Sequence, residues 1–128
     1  MTSNVSAYPL VWPQGWPVTP AAKQGRSRFA ASFDKAQRKL HDELRMLGAK
    51  GIIVSSNVAV RKDGMLYSDF ARRRIDVPAV AVYFELDGAP MVMARDAYLT
   101  PQDNIMSLAH AVGHMRGLTR ARREGLDA

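Results

Sequence analysis

His110 and His114 stand one helical turn apart on a stretch that reads as a helix, and Asp103 and Ser107 fall on roughly the same face. Two imidazoles at that spacing can hold zinc, with a carboxylate as third ligand. The helical metalloprotease pattern needs a glutamate directly after the first histidine, and here that place is taken by Ala111. The chain has no cysteine to complete a site. The pair therefore reads as a polar helix face, and neither a metal nor a cofactor is expected. No serine stands in a Gly-x-Ser-x-Gly elbow, and the glycines read as caps, turns and helix packing rather than as a phosphate loop. The acids Asp69, Asp76, Glu85, Asp87, Asp96 and Asp103 could in principle hold Mg²⁺ in a nuclease. Asp87 is accounted for by a turn and Asp103 by a helix cap. No catalytic set emerges.

The basic residues are the stronger functional candidates. Lys23, Arg26 and Arg28 close the N-terminal segment, Arg61 and Lys62 sit at a hairpin tip, and Arg72, Arg73 and Arg74 lie in the loop that follows. Such side chains on loops suit phosphate contacts, which give affinity without sequence information. Tyr67 and Phe70 flank the arginine run, where they either stack on unpaired bases or pack on the sheet. Trp12-Pro13-Gln14-Gly15-Trp16-Pro17 holds both tryptophans of the chain. Each proline fixes its own φ, lacks a donor and drives the tryptophan before it toward extended backbone. An extended arm therefore carries two large anchors. Trp12 and Trp16 either clamp the arm onto its own domain or dock on a partner.

Composition sets the frame around these residues. The 128 residues suit one domain, and 47% hydrophobic content is enough for one core. Net charge is +6, unevenly spread. Residues 1–31 carry three cations and no acid, whereas residues 76–100 carry one cation and four acids. That asymmetry points to an anionic partner on one side, nucleic acid above all. The N-terminal residues lack a basic stretch followed by an apolar core, so no secretory signal is expected. No apolar run is long enough to span a bilayer, and a cytoplasmic location without membrane contact is expected.

Residues 1–31 read as an extended Pro/Trp arm and basic linker, and residues 32–128 as a single α+β domain. Ser32 is an N-cap for a helix with Phe33, Ala36, Leu40, Leu44 and Leu47 on its apolar stripe, and Gly48 is its C-cap. Lys35, Arg38, Lys39, Asp42, Glu43 and Arg45 fill its outer face, with His41 solvated among them. A strand is expected over 51–60 with a bulge at 55–57, and Asp63-Gly64 marks a hairpin into a short strand over 65–67. The strand over 79–86 turns through Asp87-Gly88 into a partner over 90–94, where Pro90 suits an edge. Thr100, Pro101 and Asp103 start a last helix, with Ile105, Leu108, Val112, Met115 and Leu118 as its stripe. The economical arrangement is a two-layer sandwich, an antiparallel sheet of about four strands packed by two helices.

The motifs Trp12 to Pro17, Ser27-Arg28-Phe29, Ser55-Ser56-Asn57, Val82-Tyr83-Phe84, Asp103-Asn104 and Arg116-Gly117 resemble a small family encoded by phages, plasmids and related bacterial elements. Its members begin with a Trp-Pro-x-Gly-Trp-Pro arm and often continue into a region resembling a J-domain. The resemblance spans most of the chain and implies a mobile-element context, not a mechanism. This chain departs from the pattern at Ala97-Tyr98 and over the basic stretch 118–123, and it has no J-like region. Asp103-Asn104 before an amphipathic helix also resembles the Asp-x-Asp-Asn of small phage Holliday-junction resolvases, but the first acid is absent. The expected function is that of a phage-type, non-enzymatic binding protein that engages nucleic acid or a host nucleoprotein complex. One concrete version is an inhibitor of bacterial immunity. The alternatives are a Mg²⁺-dependent junction nuclease using Asp96 and Asp103, and an accessory subunit joined to its neighbours through the arm.

Overall fold

A computed structural model describes residues 5–26, 29, 32–58 and 77–123, with side chains as far as residue 120. Helix α1, Phe33–Leu47, begins where the Ser32 hydroxyl accepts the Lys35 N–H at 3.2 Å. It ends at Gly48, whose φ of 103° is open to glycine and whose N–H reaches the carbonyls of Leu44 and Arg45. Helix α2, Pro101–Arg123, begins on Thr100. The Thr100 hydroxyl accepts the Asp103 N–H at 3.3 Å and donates to the Asp103 carboxylate at 2.8 Å. The residues that mark these ends in the sequence are the ones that make the caps.

Three antiparallel strands form the sheet: β1 (Lys50–Ser56), β2 (Val80–Leu86) and β3 (Ala89–Arg95), in the order β1-β2-β3. Asp87 and Gly88 join β2 to β3 with φ of 52° and 81°. Two successive positive φ values match the twist of the flanking strands. Pro90 lies opposite Glu85 on edge strand β3. The irregularity in β1 falls between Lys50 and Ile53, at Gly51 with φ 61°, and not at the expected 55–57. Gly51 adopts the left-handed backbone that a side chain disfavours, whereas Ser55 and Ser56 pair regularly with Ala81 and Val80. Among the described residues the sheet has three strands. The expected strand over 65–67 and the Asp63-Gly64 hairpin lie outside the described residues.

Alternation along the strands separates two faces. Val54, Val80, Val82, Phe84 and Met93 meet Phe33, Ala36, Leu40 and Leu44 of α1 and Ile105, Met106, Leu108, Ala109 and Val112 of α2 in one core. Ser55, Ala81 and Ala94 run across the other face in register and are buried as well. The N-terminal arm covers them, so the α+β sandwich carries a third, irregular layer. Leu118, counted above with the apolar stripe, is 71% exposed near the end of α2. Glu43, counted on the outer face of α1, is buried. It accepts from Arg116 Nε at 3.0 Å and lies 3.5 Å from Lys39 Nζ, so it ties α1 to α2. Gly113 allows that approach, since a Cβ there would come within 3.4 Å of the Glu43 carboxylate. Among the described residues no helix is long and apolar enough to cross a membrane.

Candidate functional site

The arm clamps onto its own domain through discrete polar bonds. Ala7 O accepts the Ser56 N–H at 2.9 Å. The Leu10 and Val11 amides donate to Asn57 Oδ1 at 3.0 Å and Ser55 Oγ at 2.8 Å. The Tyr83 phenol donates to Val11 O at 2.6 Å, and burial pushes its pKa up, which keeps it a donor. Thr19 then gives both of its donors to one carboxylate: its N–H reaches Asp96 Oδ2 at 2.7 Å and its hydroxyl reaches Oδ1 at 2.6 Å. Gln24 Nε2 donates to Asp96 O, and Gly25 exchanges backbone bonds with Ala97 and Leu99 in a short parallel bridge beside Tyr98.

Between these two sets of bonds the arm makes an exposed turn. Trp16 N–H closes a turn on Pro13 O at 3.2 Å, with Gly15 at φ 79°. The Trp12 indole N–H donates to Trp16 O at 3.1 Å, which holds one tryptophan against the backbone of the other. Trp12 is half-buried, Trp16 is 37% exposed and Val18 is 71% exposed. An open groove of about 530 Å³ lies between the arm and the rest of the domain. Leu10, Trp12, Val18, Pro20 and Ala21 line it from the arm, and Val77, Pro78 and Ala79 from the residues just before β2. Thr19, Gln24 and Asp96 supply its polar atoms. Asp96 is only 7% exposed, and among the described residues no cation pairs with it.

Lys23 closes a single 3-10 turn, Ala21–Lys23, and Arg26 follows shortly after. Both are exposed and have no ion-pair partner among the described residues. Lys23, Arg26, Trp12 and Trp16 thus share the segment that supplies one wall of the groove, and Trp12 lines it. Arg28, Arg61, Lys62, Arg72, Arg73 and Arg74, with Tyr67 and Phe70, lie outside the described residues. Those from Arg61 to Arg74 fall in the sequence between Val58 and Val77, and Val77 is itself a groove residue.

Of the carboxylates and histidines considered for metal chemistry, Asp96, Asp103 and His110 have structural partners, and Asp69 and Asp76 lie outside the described residues. Asp96 takes Thr19, and Asp103 takes Thr100. His110 stacks on Phe29 at 5.1 Å, Phe29 meets Tyr98 edge-on at 5.7 Å, and the Arg95 guanidinium lies 5.7 Å from the Tyr98 ring centre. His114 is exposed. Among the described residues no three histidine or acidic side chains are grouped to hold a metal ion. His41 is half-buried rather than fully solvated, and burial, then the Arg45 charge, lowers its pKa.

Sequence reasoning missed the structural role of three residues of the seam, two of which, Asp96 and Asn104, it had named for other reasons. Thr19 and Asp96 find each other across the chain with no local signal. Asn104 is fully buried, where its amide donates to Pro78 O and Tyr98 O and its carbonyl accepts the Tyr98 N–H. It joins α2 to the groove residue Pro78 and to Tyr98, two residues after Asp96. A polar residue one turn past a strong N-cap, facing the sheet, was the available hint. Comparisons with models of protein families, with curated proteins and with solved structures give no match.

Proposed function

We propose that this chain is a non-enzymatic binding protein of a phage or other mobile element, and that its arm side engages nucleic acid or a host complex that handles it. The observation that carries the reading is the pair of exposed cations, Lys23 and Arg26, which have no ion-pair partner among the described residues and adjoin the groove residues Ala21 and Gln24 in the chain. The net charge of +6 and the run Arg72, Arg73 and Arg74 add to it. The mobile-element context rests on the sequence resemblance. Inhibition of a bacterial immune complex is one concrete form of such binding.

The test is an affinity series against salt. Binding weakens linearly on logarithmic axes as phosphate contacts release counterions. Changing Lys23 and Arg26 together to Ala lowers the slope by about two, roughly one per lost phosphate contact. Salt-independent binding, or a slope unchanged in that variant, overturns the reading for the arm side. Cleavage of branched DNA with Mg²⁺, lost on Asp103→Asn, overturns its non-enzymatic part. The exposure of Trp16 and Val18 favours a second reading, an accessory subunit that docks a protein neighbour through the arm. A discrete protein partner retained after nuclease treatment, and lost on Trp16→Ala, supports that reading instead.

A further inference from the structure

We infer that the groove under the arm is a pocket for one unpaired nucleotide whose base carries an exocyclic amino group. This rests on the nucleic-acid reading above and names the ligand of that same surface.

Three observations converge. The volume, about 530 Å³, lies in the range of small-ligand sites. Its walls are largely apolar, with Trp12, Val18, Pro20 and Pro78 among them, which suits a flat aromatic body. Its one charged member is Asp96, more than nine-tenths buried. Each Asp96 oxygen accepts one bond from Thr19, whereas a carboxylate offers about four acceptor sites in all. Acceptor capacity is therefore left, and among the described residues no other donor uses it.

A buried carboxylate in an apolar groove selects a ligand with an N–H donor. Cytosine presents its N4 amino group, as adenine presents N6, whereas the one N–H of an unpaired thymine base, N3–H, is flanked by the O2 and O4 acceptors, which the carboxylate repels. A cationic side chain of a protein would satisfy the carboxylate too. The charges outside decide between them: Lys23 belongs to the turn whose Ala21 lines the groove, and Arg26 follows. Exposed cations at that place suit a phosphate and oppose a cationic peptide. Base pairing occupies the amino group and encloses the base in the stack, so the pocket takes unpaired nucleotides.

The experiment measures anisotropy of labelled oligodeoxycytidine, oligothymidine of equal length and a duplex, at neutral pH and moderate salt. The full chain binds oligodeoxycytidine about tenfold more tightly than oligothymidine, the value of one charge-assisted hydrogen bond. The duplex competes poorly, and oligodeoxycytidine quenches the emission of Trp12 and Trp16. Asp96→Asn removes the preference, because its amide donates as well as accepts. Since that change also touches the Thr19 bonds, Ala21→Phe serves as a second variant that fills the groove and leaves Asp96 alone. It abolishes the preference with an unchanged circular dichroism spectrum. Equal affinity for the two oligonucleotides, or a preference that survives Ala21→Phe, overturns the pocket; salt-dependent binding then still upholds the proposed function. No binding to any nucleic acid overturns both. Oligoarginine that binds instead, blocked by Ala21→Phe, overturns the nucleotide in favour of a cationic protein segment.

Discussion

The two faces of the sheet are covered by opposite means. On one face, α1 and α2 bury a continuous apolar cluster with Leu40, Leu44, Ile105 and Val112 fully out of water. On the other, an arm without regular strands is fixed by a handful of hydrogen bonds, most of them to side chains. Burial of apolar area is non-directional and spread over many residues. Side-chain hydrogen bonds are few and local, and losing one loosens one segment. The helical face therefore carries global stability, and the arm face opens at lower cost, as binding surfaces do. The groove and the exposed cations lie on that second face.

Three changes break or sharpen this contrast. The largest effect is expected from Leu40→Ala, which empties a fully buried site in the helical layer. It costs about 2–5 kcal/mol in urea unfolding, and both far-UV dichroism and tryptophan emission shift together. The arm has no platform once the core is lost. A change that moves only one of the two signals would sink this account of the helical face.

Thr19→Val comes next. It deletes the hydroxyl bond to Asp96 and leaves a buried carboxylate short of a donor. About 2 kcal/mol of arm docking is lost, in line with hydrogen bonds to charged groups. Tryptophan emission shifts red at low urea while the dichroism transition barely moves. If both transitions shift equally, the arm and the core form a single cooperative unit.

The smallest effect concerns the seam between the helices. Arg116, by its hydrogen bond first and its charge second, holds the Glu43 carboxyl below the usual glutamate range against the opposing effect of burial. The folded carboxyl thus titrates lower than the unfolded one, and its contribution is full above the ordinary glutamate pKa. It fades as pH falls through the lowered value. Arg116→Ala costs about 1 kcal/mol at neutral pH, since the arginine is partly exposed, and wild type and variant converge in acid. A stability gap that stays constant with pH excludes the ion pair as its source.

The parts of this fold that were legible in the sequence are those governed by local rules. Ser32, Gly48, Thr100 and Asp103 cap helices, and Asp87-Gly88 turns the hairpin, because those conformations need those residue types. Glu43 was misplaced although its spacing was informative: it stands three residues after Leu40 and four before Leu47, within the apolar stripe. Charge alone argued for the outer face, and the partner that overrides it lies on another helix. The candidate site was legible only as ingredients. Trp12, Trp16, Lys23 and Arg26 stood out by type, but the groove depends on Thr19 meeting Asp96, a contact that no period or cap encodes.

That contact also sets a timetable. The residue that anchors Thr19 lies 77 positions later in the chain. At about 5–20 residues per second, synthesis delivers it roughly 4–15 s after Thr19 itself. Tyr98 and Asn104, which shape the same seam, arrive later still. The arm, made before its anchor, is thus among the last segments to find its place, and both tryptophans spend that interval undocked. In refolding, their emission reports the closing step of assembly, after the helices and hairpin have formed.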